Sequence, residues 1–200
     1  MSLLYNIALV ALAAGVASDT LVIAFVSGNS IAMFKILGSK EPKLKARNIR
    51  WLFIFTLLFI IQNMVLIYGY WFGQFTKDML KGEERLVAVG LLFSMGIRML
   101  QELKVKNETS KQISLDTQRF LEVASGTAIY VFAFGCAICW LNMDRQVVSF
   151  LLLSLLILSM ISGIVLGKYH FEKTFKYLNT ISALLVIAGS LCLIIGLLKN

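Results

Sequence analysis

Val147–Gly167 reads VVSFLLLSLLILSMISGIVLG, 21 residues without a charged side chain. The hydrocarbon core of a bilayer is about 30 Å thick and takes about 20 helical residues to cross. A helix apolar on every face has no side to offer water, and it satisfies its own backbone groups, which lipid cannot. Strands of a membrane barrel would be shorter and would alternate polar with apolar residues. The stretch shows no such alternation, so it reads as a transmembrane helix.

Five further stretches have the same character: Leu3–Ile31, Trp51–Thr76, Leu86–Leu103, Phe120–Asn142 and Tyr177–Leu198. The chain is 58% hydrophobic and only 15% charged, with a single proline and a mean hydropathy of +0.82. A soluble domain needs more polar surface than this. The expected fold class is therefore all-α, a polytopic membrane protein of six transmembrane helices. The net charge of +8 would point to nucleic acid in a soluble protein. Here the basic residues cluster between apolar runs, where they meet lipid headgroups and set orientation, so no nucleic acid is expected. The N-terminus has no basic n-region and no small-residue cleavage site, so the first apolar run is expected to be retained.

The loops assign the sides. The first holds Lys35, Lys40, Lys43, Lys45, Arg47 and Arg50 against Glu41. The third holds Lys104, Lys106, Lys111 and Arg119, and the fifth Lys168, Lys173 and Lys176. The second has Lys77, Lys81 and Arg85, and the fourth Arg145 alone. The positive-inside rule puts the odd loops in the cytoplasm and both termini outside. The organisation expected is a first three-helix unit over 1–104, a polar cytoplasmic linker over 105–118 and a second unit over 119–200.

The two units look related. Ser18-Asp19-Thr20-Leu21-Val22-Ile23-Ala24-Phe25 aligns with Thr127-Ala128-Ile129-Tyr130-Val131-Phe132-Ala133-Phe134. Gly69 and Gly73 match Gly163 and Gly167, and Gly96 matches Gly189, in the same order. A three-helix unit has its ends on opposite sides, so its duplicate inserts inverted. Inverted repeats place substrate sites near the midplane between the halves.

Asp19 is the only charge between Met1 and Phe34 and lies in the middle of the first apolar run. A lone carboxylate at that depth costs at least about 2.5 kcal/mol, so it should face a cavity or a partner, as an ion ligand or proton carrier, or in a structural hydrogen bond or ion pair. Gln62 and Asn63 lie mid-way along the second run, and their amide oxygens suit hard cations including manganese and magnesium. Bonding between helices is the plainer role for such amides. Arg98 either snorkels beside Glu102 or pairs with Asp19. Cys136 and Cys139 form a C-x-x-C, and the three cysteines all fall in apolar runs where they pack as small hydrophobes. No catalytic triad or phosphate-binding glycine fingerprint can be assembled, so no enzyme and no bound cofactor is expected.

Taken together, Ser18-Asp19-Thr20, Gln62 with Gly69-Tyr70-Trp71-Phe72-Gly73, Gly96-Ile97-Arg98-Met99-Leu100 and the last helix around Gly189 resemble the bacterial manganese efflux pump (MntP-type) family of the lysine-exporter superfamily. The resemblance implies a multi-pass inner-membrane secondary transporter whose substrate is a manganese ion, with Asp19 as the main ligand and Gln62 or Asn63 assisting. It also places Ala128 where the family carries a second intramembrane aspartate. A divalent ion would then meet one carboxylate instead of two. The alternative expectation is a non-transporting membrane subunit that keeps the fold and binds a membrane protein partner.

Overall fold

The computed structural model describes residues 6–18, 20, 21, 24, 43–80, 82–108, 117–168 and 172–198. Side chains are described over 6–18, 20, 21, 24, 56–80, 82–101, 125–167 and 180–196. Among these residues the chain is all-helical apart from short connections, with six α-helices and no strand. They are α1 (Asn6–Ser18), α2 (Lys43–Lys77), α3 (Glu84–Glu108), α4 (Thr117–Trp140), α5 (Arg145–Lys168) and α6 (Glu172–Leu198). Helical backbone continues beyond α1 at Thr20, Leu21 and Ala24.

Helix ends overrun the hydropathy edges. Lys43–Arg50, read as loop from their charge, form the start of α2, and α3 runs on to Glu108 into the stretch read as linker. Hydropathy marks where lipid ends, whereas backbone hydrogen bonding continues into the headgroup layer. Ser27-Gly28-Asn29-Ser30, a polar stretch able to interrupt the first helix, residues 109–116 of the expected linker, and His170 lie outside the described residues.

Local chemistry explains the short connection between α4 and α5. Met143 N donates to Ile138 O at 3.0 Å and Asn142 N to Cys139 O at 3.1 Å, the double bond that closes a helix over a left-handed residue. Asn142 supplies that residue, with φ 54°. Asp144 then caps α5, its carboxylate accepting from Gln146 N at 2.9 Å and its carbonyl from Val148 N at 3.1 Å.

Two helical stretches, Thr56–Leu80 and Arg145–Gly167, are long and apolar enough to cross a membrane. Their most apolar windows are only 28% and 22% buried, far from the mostly buried core helix of a soluble protein. Exposed apolar side chains such as Phe75, Phe150, Leu158 and Ile161 cover their outer faces. The other apolar helical stretches are shorter within the described residues: Asn6–Ser18, Ser125–Trp140 and Thr180–Gly196.

Glycines set the packing. Gly69 faces the Phe132 carbonyl and Gly73 faces Cys136 and Cys139, while Gly135 faces Leu66, Gly69 and Tyr70. This is a close backbone crossing of α2 and α4, of the kind small residues permit in membranes. The contacts advance in the same direction along both helices, so α2 and α4 run parallel. Gly15 lies against Ser182 and Val186, and Gly189 against Ala8 and Leu12, so α1 and α6 run antiparallel. Gly96 of α3 abuts Ile187 of α6, and α3 also packs on α4. Trp140 Nε1 donates to Gly73 O at 3.0 Å, and Lys77 Nζ donates to Asn142 Oδ1 at 2.5 Å. The second and fourth connections therefore sit at one end of the bundle.

Candidate functional site

Buried polar side chains are few among the described residues: Ser18 and Thr20 on α1 and its continuation, Gln62 on α2, Thr127 on α4, and Ser182 and Ser190 on α6. The α1 and α6 hydroxyls mostly turn back on their own helix. Ser18 Oγ donates to Gly15 O at 2.5 Å, Thr20 Oγ1 to Ala17 O, and Ser190 Oγ to Val186 O at 2.7 Å. Such back-bonding occupies the hydroxyl proton and leaves only the oxygen lone pairs to offer a ligand.

Gln62 is different. It is 2% exposed, and neither Nε2 nor Oε1 has a hydrogen-bond partner among the described residues. Burying an amide without partners costs about 1–3 kcal/mol. The adjacent Asn63 follows the plainer course, accepting at Oδ1 from Ser149 Oγ of α5 at 3.3 Å. Neighbouring residues on a helix point some 100° apart, so one amide ties α2 to α5 and the other enters the core.

Gly69–Phe132 and Gly73–Cys136 keep one offset. Extrapolated two turns back along both helices, the contacts Gly69–Phe132 and Gly69–Gly135 put Gln62 between the levels of Ser125 and Ala128. Thr127 and Ala128 follow within the next turn, Thr127 buried and Ala128 half-buried. The residue standing at the expected second aspartate position is therefore close in height to the orphaned amide.

Asp19 lies outside the described residues, and with it the proposed Arg98–Asp19 pair. The positions on either side of it, Ser18 and Thr20, are buried. Arg98 is exposed on α3. Cys136 and Cys139 are both buried free thiols packed on Gly73, and no group of three His, Cys, Asp or Glu side chains gathers among the described residues. Their spacing is thus used for helix packing. Sequence reasoning missed the burial difference between Gln62 and Asn63. Period alone does not say which face of an all-apolar helix meets protein.

Neither curated proteins nor solved structures give a match to the chain. The family described as "Putative manganese efflux pump" (Mntp) matches residues 45–196, well over half of the sequence. The match takes in Gln62, Asn63, Arg98 and Ala128, and begins after Asp19. The chain is therefore a membrane protein of transport type, and it belongs to the manganese efflux pump family.

Proposed function

We propose that this protein exports a divalent cation of the manganese class across the bacterial inner membrane as a secondary transporter. In this reading six helices span the bilayer as two inverted three-helix repeats, with both termini outside. The observation that carries it is Gln62, an amide with both polar atoms unpaired among the described residues and buried in a helix whose outer face is apolar. An amide oxygen is a hard neutral donor suited to manganese or magnesium, and binding the ion would offset the desolvation that the side chain otherwise bears. Asp19 is the anionic ligand, Asn63 assists from its place beside Ser149, and Arg98 is the partner of Asp19 when no ion is bound.

Helix neighbours support the repeat. Exchanging the halves maps α1 on α6 to α4 on α3, and α3 on α6 to itself, and all three pairs are in contact. The shared end of the second and fourth connections supports an even number of crossings between them, and the sidedness rests on the basic charge of the odd loops.

Manganese accumulation in cells lacking a chromosomal exporter tests the proposal. The parent lowers cell manganese, whereas Gln62→Leu and Asp19→Asn at equal membrane abundance do not. Absence of export by the parent, with another membrane protein recovered at fixed ratio in mild detergent, would make the chain a subunit instead.

A further inference from the structure

We infer that the cleft between the end of α2 and the α4–α5 turn binds the phosphodiester headgroup of an anionic phospholipid. α2 outruns α4, and the space beneath its last turn is an open cleft of about 370 Å³ lined by Tyr70, Gln74, Lys77, Cys139, Asn142 and Met143. That volume is at the lower end for small-ligand sites, roughly 300–1,000 Å³, and suits a headgroup without its chains.

The lining has the chemistry of an anion site. Lys77 donates one proton to Asn142 Oδ1, and an ammonium has three, so two remain for a ligand. Tyr70 and Gln74 add a hydroxyl and an amide. Arg145 lies at the rim with its guanidinium 5.7 Å from the centroid of the Tyr70 ring. Both cations thus contact neutral groups, the Asn142 amide and the Tyr70 ring. Each cation has one acidic neighbour in sequence: Asp144, beside Arg145, uses Oδ1 to cap α5, and Asp78, beside Lys77, is exposed in the turn that follows α2. A path for a divalent cation would not be built from these groups.

Position selects the lipid over a free phosphate. The cleft opens where the apolar span Thr56–Leu80 ends, the depth at which headgroups lie. Trp71 and Phe75, 59% and 73% exposed on the same stretch of α2, offer apolar surface for acyl chains.

Native mass spectrometry of the full chain in mild detergent tests this, with phosphatidylglycerol and phosphatidylcholine of identical chains as probes and inorganic phosphate as a third arm. Phosphatidylglycerol is retained over phosphatidylcholine. Lys77→Gln and Arg145→Gln each weaken its binding about fivefold, the effect of one interfacial cation. Lys77→Arg keeps it, and Arg85→Gln, at the same end on α3, leaves it unchanged. Should Lys77→Gln fail to give a monodisperse protein, Arg145→Gln alone decides. Equal retention of the two lipids overturns the inference. So does an equal loss with Arg85→Gln, no loss with Arg145→Gln, or binding of inorganic phosphate without lipid.

Discussion

Gly69 of α2 and Gly135 of α4 meet backbone to backbone: a Cβ built on Gly135 would lie 3.1 Å from Gly69 Cα and 2.6 Å from Leu66 O. One built on Gly69 would lie 2.3 Å from Phe132 O. Backbone cannot swing aside as a side chain can, so the helices must separate to admit a methyl group. Lipid gives little hydrophobic drive to hold them, and close contact is the main attraction.

Gly69→Ala and Gly135→Ala are each expected to destabilise the protein by at least about 1–3 kcal/mol, the usual cost of overpacking. Gly90→Ala is the control, since nothing lies within 4 Å of a Cβ there. It should stabilise α3 by about 0.5–1 kcal/mol through helix propensity. Thermal unfolding in one detergent checks all three. An unchanged melting temperature in Gly135→Ala would contradict the crossing.

Much of this architecture is legible in sequence, for a physical reason. Apolar runs of bilayer length announce helices, and Gly69 and Gly73 stand out as a pair repeated at Gly163 and Gly167, though not as the face that meets α4. Gly135, among Phe134, Cys136 and Ala137, carries no periodic signal in the sequence. Helix ends inferred from charge fall short of Lys43 and Glu108 because charge marks the lipid boundary and not the last backbone hydrogen bond. For the site, the residue types at Gln62 and Asn63 were informative, but their opposite environments depend on which face α4 covers.

Gln62 and Asn63 should separate in experiment. Gln62→Leu removes an amide with no partner among the described residues, so stability should hold or rise by about 1–3 kcal/mol while export falls. Asn63→Ala removes the bond from Ser149 and should cost about 1 kcal/mol. Ser149→Ala should add little once Asn63 is gone, because both substitutions remove one interaction. Melting curves with manganese accumulation on the same variants check the pair. A large loss of stability in Gln62→Leu would show that the amide has a structural partner.

Sidedness is tested by labelling in a background without Cys136, Cys139 and Cys192. Gly82 is a poor reporter site, since its φ of +96° disfavours a cysteine. Glu83→Cys and Gln146→Cys, both exposed, serve instead. Lys77 bonded to Asn142 requires that both react from the same side. An impermeant thiol reagent added to intact cells should label both and spare Asn107→Cys. Labelling of Asn107→Cys alone would reverse the orientation, and labelling of all three would reject the span count.

The strongest functional test is Ala128→Asp. Ala128 is half-buried within a turn of the level of Gln62, so a carboxylate there could share an ion with the amide. In the absence of an ion the new charge is poorly solvated and should cost at least about 2.5 kcal/mol. A bound divalent cation offsets that cost, because a second carboxylate balances its charge. The variant is therefore expected to melt below the parent in chelator and to regain stability on adding manganese, while the parent shifts less. In cells lacking a chromosomal exporter it should export manganese more strongly than the parent. Asp19→Asn in the Ala128→Asp background should reverse both gains, since the ion would again meet a single carboxylate. Manganese-dependent melting that persists in that double variant would mean that Ala128→Asp built a site without Asp19, and the two-helix arrangement would have to be abandoned.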